Sequence, residues 1–208
     1  LALRYDVSEV FVQKEVTREE IDQESAVQAA LGSMTSMKFC WGDTLYHLKD
    51  LPFRAVELPD VFTAFRKKTE ASASVRSLFP VPKMPPLPDG LRGDVPIPTL
   101  SDLGFESQSI ALRAAIHCKG GETEALKRFQ HYIWETEKLG TYKHTRNGLI
   151  GEDYSSKYTA WLSLGCLSPR FIYHEIKRHE AKVVRNDSHV WLLIDLIWRV
   201  YFLFVQLK

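Results

Sequence analysis

The strongest constraint on how this chain can fold lies at its end. Val190 to Val205 read Val-Trp-Leu-Leu-Ile-Asp-Leu-Ile-Trp-Arg-Val-Tyr-Phe-Leu-Phe-Val, apolar around the whole helical circumference except at Asp195 and Arg199. A helix of that kind belongs inside a large body of protein. Its length also approaches the ~20 residues that cross a bilayer, but two charges at the centre of a span are costly in lipid. Asp195 and Arg199 stand four apart on one face, positioned to pair with each other, and Ser188 or Asp187 is placed to cap the start. The expectation is a buried core helix with more protein beyond Lys208 to enclose it. Leu1 to Val7 likewise read as the middle of a domain rather than its start.

The chain has 208 residues, 45% hydrophobic and 25% charged, an ordinary globular balance that excludes a disordered protein. A net charge of +1 demands no particular partner, while a local excess of Lys and Arg after position 143 permits an anionic one. Cys40, Cys118 and Cys166 are far apart and form no CxxC, which argues against a disulfide framework or a zinc cluster and for a reducing intracellular compartment. The first residues match neither a signal peptide nor an Arg/Ser-rich transit peptide.

Val10-Phe11-Val12 reads as a short buried strand. Thr17-x-x-Glu20 is a capping-box pattern opening a helix through Ile21, Val27 and Leu31 to a stop at Gly32. Met37 to Trp41 then alternates like a second strand. This β-α-β order predicts a parallel sheet with helices on its faces, and since two strands do not make a stable open sheet alone, earlier strands are expected. A short helix follows Pro59-Asp60, with Val61, Phe62 and Phe65 on one side and Arg66-Lys67-Lys68 on the other. Seven of the ten prolines fall between Pro80 and Pro98, so residues 71–104 are expected as extended or turning connector. Gly120-Gly121 opens an amphipathic helix carrying Leu126, Phe129 and Ile133, stopped at Gly140, and everything after it is helical. The fold class expected is the C-terminal part of a Rossmann-like parallel α/β domain (1–70), a Pro-rich connector (71–119) and the first helices of an all-α domain (120–208).

The chemistry is concentrated between Tyr142 and Arg170. Ser155, Ser156 and Thr159 precede a helical run, where hydroxyls and free backbone N–H groups converge on a phosphate, and Lys157 adds a charge-assisted contact. The same hydroxyls also fit plain helix N-caps. His174-Glu175-x-x-x-His179 has two histidines five apart, off the shared face that a zinc helix needs, and reads as solvated surface. Trp161 and Trp191 read as core aromatics, and Arg170, after the helix start Ser168-Pro169, as projecting to solvent.

Five motifs stand in register over about ninety residues: Gly120-Gly-Glu-Thr123, Tyr142-x-x-x-Arg146-Asn-Gly, Asp153-Tyr-Ser-Ser-Lys157, Gly165-Cys-Leu-Ser-Pro-Arg170 and Leu196-Ile-Trp-Arg199. Together they closely resemble the DNA photolyase/cryptochrome family, in particular its DASH branch. Upstream, Trp41-Gly-x-Thr-Leu-Tyr-His47, Leu51-Pro-Phe53, Leu58 to Arg66 and Gly93-Asp-Val-Pro96 are similar to the end of that family's antenna domain and its connector.

That resemblance implies a helical domain holding FAD. Tyr142, Ser155, Ser156, Thr159 and the backbone at Lys157 would meet the flavin's pyrophosphate and ribityl portion, with Arg199 also at the cofactor. Arg146 would meet a nucleic-acid phosphate, and Asp195 and Trp198 would line the cavity for a flipped pyrimidine dimer, the aromatic face taking the extruded bases and the polar group their edges. Glu15 would lie near a folate antenna (methenyltetrahydrofolate), against the alternative of a plain surface carboxylate. The implied activity is light-dependent repair of cyclobutane pyrimidine dimers, preferably in single-stranded DNA, with electron transfer belonging to the cofactor. A plant-type DASH protein would reside in chloroplast or mitochondrion.

The family's acidic residue after Trp-Arg and its basic residue three positions on are here Val200 and Leu203; Asp195 stands where Glu is commoner, Ala160 for Pro and Thr159 for Ser. The segments that enclose the flavin ring fall beyond position 208 in this reading. A light receptor without repair chemistry, a nucleic-acid-binding relative and an inactive fragment are the alternatives.

Overall fold

The computed structural model describes residues 2, 4–91, 96–106, 114–149, 151–183 and 185–208. Most of the Gly93–Pro96 motif therefore lies outside the described residues, as does Ile150. Strand β1 (Glu9–Gln13) pairs in parallel with β2 (Ser36–Cys40), Val10 opposite Met37 and Val12 opposite Phe39. Helix α1 (Arg18–Leu31) makes the crossover and ends at Gly32, whose φ of +66° is cheap only for a residue without Cβ.

Two expectations for this unit are corrected. Thr17 stands at the helix start but its side chain makes no capping bond. The strands are not buried either, since Phe11 is 67% exposed and Phe39 41%. What anchors the unit is polar: Glu24 on α1 accepts the Glu15 backbone N–H at 2.8 Å and also binds the Lys14 ammonium.

The core lies further along the chain, where α2 (Phe62–Ser72) meets the final helix α7 (Asp187–Val205). Phe65, fully buried, has ring centroids of Tyr201 at 5.1 Å, Phe53 at 5.9 Å and Phe204 at 6.3 Å around it. Trp41, just past β2, stacks on Phe204 at 6.0 Å. Offset and edge-on aromatic pairs of this kind add about 0.5–1.5 kcal/mol each to the hydrophobic burial. The N-terminal segment is thereby fixed to the C-terminal helix.

Helix α7 is long and apolar enough to cross a membrane, and half of its most apolar window is buried inside the protein. It is not enclosed on every side. Leu192, Leu196, Val200 and Phe204 form a buried stripe, while Val190, Trp198, Phe202 and Val205 are exposed at 38–53%. Its cap is Asn186, whose side chain accepts the Ser188 N–H at 2.9 Å, rather than Ser188 or Asp187. The i,i+4 pair does not form. Asp195 binds Arg146, and Arg199 binds Asp43.

Between these parts, residues 73–91 and 96–106 form neither helix nor strand. Arg76 pins the connector by a two-pronged pair with Asp50, at 2.6 and 2.8 Å, and its carbonyl meets His174 Nε2 at 3.0 Å. Arg170 lies over the Phe79 ring at 5.5 Å instead of projecting freely. The helical part then runs through α3 (Glu122–Gln130), which continues as one wide π turn (His131–Glu135), a 3₁₀ turn (Lys138–Thr141), α4 (Tyr142–Thr145), α5 (Thr159–Leu162) and α6 (Pro169–Lys182). Ser168 caps α6 by accepting the Phe171 N–H, and Pro169 occupies the first turn where no N–H is needed.

Candidate functional site

Tyr142 begins α4 and Asp195 lies mid-way along α7, 53 residues later, yet their side chains touch: the phenol donates to Asp195 Oδ2 at 2.5 Å. Arg146, one turn after Tyr142, donates to the same carboxylate at 2.7 Å and stacks over the Trp191 ring at 4.9 Å. Burial is the main reason the Tyr142 phenol is held far above its usual range, and the neighbouring Asp195 carboxylate raises it further, so it stays protonated and donates to that carboxylate. Tyr132 meets Tyr142 edge-on at 6.5 Å and closes the inner side.

Opposite stands the loop 152–158. Ser156 is buried, Ser155 half-buried, and Lys157 takes a φ of +61°, a left-handed conformation that costs a residue with a Cβ about 1–2 kcal/mol. Helix α5 is a single turn whose N-cap is Tyr158, with no side-chain cap. Ser155 and Ser156 are therefore not its caps, which removes the plainer of the two readings of those hydroxyls.

The loop and the α4–α7 junction face one another across a cleft of about 470 Å³, within the roughly 300–1,000 Å³ typical of small-molecule sites. Seven of the residues singled out by the sequence line it: Tyr142, Arg146, Ser155, Ser156, Lys157, Thr159 and Asp195. Three hydroxyls and an ammonium on the loop side, with the Arg146 guanidinium across from them, suit a phosphate or diphosphate. That donor set fits the diphosphate portion of a dinucleotide cofactor.

Three candidates stand elsewhere. Arg199 donates to the Asp43 carboxylate and carbonyl and, at 3.3 Å, to Leu162 O. Trp198 is 42% exposed, its ring 4.4 Å from that of Phe62 and 5.4 Å from that of Phe202. Glu15, just past the carboxyl end of β1, accepts a bond from Gln13 at 3.1 Å. Val200, at the position where an acid was expected, is fully buried in the apolar core. His179 is buried too, contrary to the solvated surface expected for it.

The sequence reading assigned nothing to Arg128. Its side chain, 4% exposed, reaches from α3 to Asp153 Oδ1 at 2.7 Å and to the carbonyls of Glu152, Ser155 and Ser156 at 3.0, 3.1 and 3.0 Å. His131 binds the other Asp153 oxygen at 3.1 Å. Burial works to raise the Asp153 carboxyl, but the bonds from Arg128 and His131 outweigh it and hold the group below its usual range. A signal was present: Arg128 shares the helical face of Ala125, Phe129 and Tyr132, and a cation in an apolar stripe needs a buried partner.

The DNA photolyase family model matches residues 1–88. Cryptochrome DASH of Xenopus laevis is 47% identical over 206 residues, covering 98% of this chain and 39% of that protein. Cryptochrome DASH of Gloeobacter violaceus is 45% identical over 210 residues, covering 100% of this chain and 42% of that protein. The crystal structure of a Synechocystis cryptochrome superposes with a TM-score of 0.87 at 42% identity, over 98% of this chain and 42% of that one. The chain thus spans about two fifths of the length of the relatives it matches.

Proposed function

Because this chain belongs to the DASH branch of the DNA photolyase/cryptochrome family, we propose that its cleft holds the diphosphate and ribityl portion of FAD and that the protein repairs cyclobutane pyrimidine dimers in light, preferably in single-stranded DNA. The observation that carries the reading is the convergence of Tyr142, Ser155, Ser156, Lys157 and Thr159, drawn from three separate elements, on one cleft. Residues 1–70 are read as the end of the antenna domain, 71–119 as the connector and 120–208 as the start of the FAD domain.

Bound flavin would supply the light absorption and the electron. The chain's own residues bind and orient. The hydroxyls of Ser155, Ser156 and Thr159 donate to diphosphate oxygens, Lys157 balances their charge, and Tyr142, fixed by Asp195, offers its ring edge and oxygen to the ribityl chain. Arg199 acts at a distance, by tying Asp43 to α7 beside Leu162. The exposed ring of Trp198, backed by Phe62, gives extruded bases an apolar face, and Arg146 and Asp195 line the cleft as the groups that would meet a phosphate and a base edge. A folate antenna beside Glu15 belongs to the same proposal, since ligands of open parallel sheets bind beyond the carboxyl ends of the strands.

The experiment is an absorption spectrum of the purified chain after incubation with FAD and gel filtration. A flavin band travelling with monodisperse protein, and lost in Tyr142→Ala and Ser156→Ala, is expected. A colourless, folded chain that takes up no FAD overturns the cofactor reading. Loss of dimers from irradiated single-stranded DNA under blue light then separates repair from a receptor that only senses light.

A further inference from the structure

We propose that Arg128 is the positioning residue of the cofactor cleft, presetting the loop 152–156 from behind so that its other side is ready for a diphosphate. The inference rests on the FAD reading above and adds to it a residue that does not line the cleft.

The guanidinium reaches the loop from α3. It is buried on α3 with the Tyr132 ring 5.2 Å from its carbon, and it spends its donors on four acceptors of one short loop: the carboxylate of Asp153 and the carbonyls of Glu152, Ser155 and Ser156. A planar fork with five N–H donors can hold several acceptors in fixed relative directions, which an ammonium cannot. The consequence follows from peptide geometry. In a trans peptide the N–H points opposite to the C=O of the same unit. With the Ser155 and Ser156 carbonyls drawn toward Arg128, the N–H groups of Ser156 and Lys157 are turned away from it. Successive backbone N–H groups turned one way beside a left-handed residue make an anion-binding concavity, and Lys157 is that residue, followed by Tyr158 at φ −71° and ψ −14°. The hydroxyls of Ser155 and Ser156 and the Lys157 side chain line the cleft from the same segment. Arg128 also compensates its own burial through Asp153, which His131 steadies from the far oxygen. A diphosphate therefore meets a loop that needs no reordering, and preorganisation of this kind raises affinity by removing an ordering cost.

The test uses the full 208-residue chain and its Arg128→Lys variant, which keeps the charge but not the fork. Two quantities are read: amide hydrogen exchange along the chain without flavin, and dissociation constants for FAD and for riboflavin, which lacks the diphosphate. Exchange about tenfold faster at the Trp161 and Leu162 amides, which donate to the Tyr158 carbonyl at the end of the loop, and confined to 152–163, together with an FAD constant about tenfold weaker and riboflavin within about twofold, is expected from losing one or two charge-assisted bonds. Faster exchange spread over α6 and α7, or FAD and riboflavin weakened alike, would overturn the positioning role and leave Arg128 a packing residue. If the parent chain binds no FAD, the cofactor reading fails by itself, and the exchange pattern still decides whether Arg128 holds the loop. Asp153→Asn, which preserves shape, guards against a variant that does not fold. It is expected to move exchange and FAD affinity in the same local way, by a smaller factor, and no local change in it counts against the proposal.

Discussion

His179 Nδ1 lies 2.9 Å from His189 Nε2, two imidazoles exposed to 1% or less and joining α6 to the start of α7. Their tautomers follow from the next bond. Asn186 gives its amide N–H to Gly140 O and accepts the Ser188 N–H, so its oxygen faces His189 Nδ1, which must carry the proton. His189 Nε2 then accepts from His179 Nδ1–H, and His179 Nε2 is left buried with no partner among the described residues. Both rings are neutral. Burial holds both below the usual imidazole value, and at His189 the neighbouring His179 and then Lys177 add to the lowering; Glu180 pushes the other way at both rings and Glu137 at His179. The unfolded chain therefore takes up protons before the folded one. Stability is fully present above the unfolded value near 6.5 and is lost as the pH falls from there through the depressed folded values. Thermal denaturation between about pH 7 and pH 5 is expected to show a falling midpoint, and the double change His179→Gln with His189→Gln to flatten that slope. An equal slope in the double variant would remove the pair from the account.

Arg199 and Asp43 are separated by 156 positions and join the segment after β2 to α7 by a charge pair with both side chains about four-fifths buried. Burial raises the Asp43 carboxyl in spite of the Arg199 charge, and its φ of +38° adds backbone strain. A double-mutant cycle of Asp43→Ala and Arg199→Ala, read by denaturant unfolding, is expected to give a coupling of about 1–3 kcal/mol, as for hydrogen bonds to charged groups. Coupling below about 0.3 kcal/mol would mean that the two segments are held by the Phe65 aromatic cluster alone.

Tyr154 is clasped by two glycines. A Cβ on Gly148 would stand 2.7 Å from its ring and one on Gly151 2.9 Å, and Gly151 has a φ of +105° that no side chain adopts without strain. Gly151→Ala is expected to cost about 1–3 kcal/mol of stability and to loosen the loop that carries Ser155 and Ser156. Adding Tyr154→Ala separates the causes: it relieves the ring contact at position 151 but not the backbone strain there. Full rescue of Gly151→Ala by Tyr154→Ala would show that φ is not what matters there.

Much of this was legible in the sequence, and the misses share a cause. Apolar patterning located α1, α2 and α7 to within a few residues and the Ser-Pro boundary gave the start of α6, since these are local facts. Partner choice is not local. Asp195 and Arg199 have the right spacing to pair, but Tyr142 and Arg146 on α4 offer Asp195 two donors at once, and Asp43 claims Arg199. The buried His179 was hidden because its apolar contacts, chiefly the Trp134 ring at 5.1 Å, arrive from the distant π turn. The cleft residues were legible as a set because four of the seven fall between 155 and 159, whereas Arg128, which braces them, lies 27 and 28 positions upstream of Ser155 and Ser156.

Arg146 directly follows α4 and holds Asp195. Its guanidinium is shared between Asp195 and the Trp191 face, so a nucleic-acid phosphate would meet a cation already half neutralised. If Arg146 contacts phosphate, Arg146→Ala weakens binding of single-stranded DNA by a similar factor at every sequence and lowers the salt slope by about 0.7, the increment for one phosphate on a single strand. Asp195→Asn acts oppositely. It removes the competing charge while keeping a group that can accept from Tyr142, so DNA binding is expected to tighten, most at low salt where the released cation is least screened. The two changes together separate the cation's role from the cleft's shape: in the Arg146→Ala background, Asp195→Asn should recover little of the lost affinity. An unchanged salt slope in Arg146→Ala would show that the guanidinium serves only to hold Asp195 and Trp191 in place.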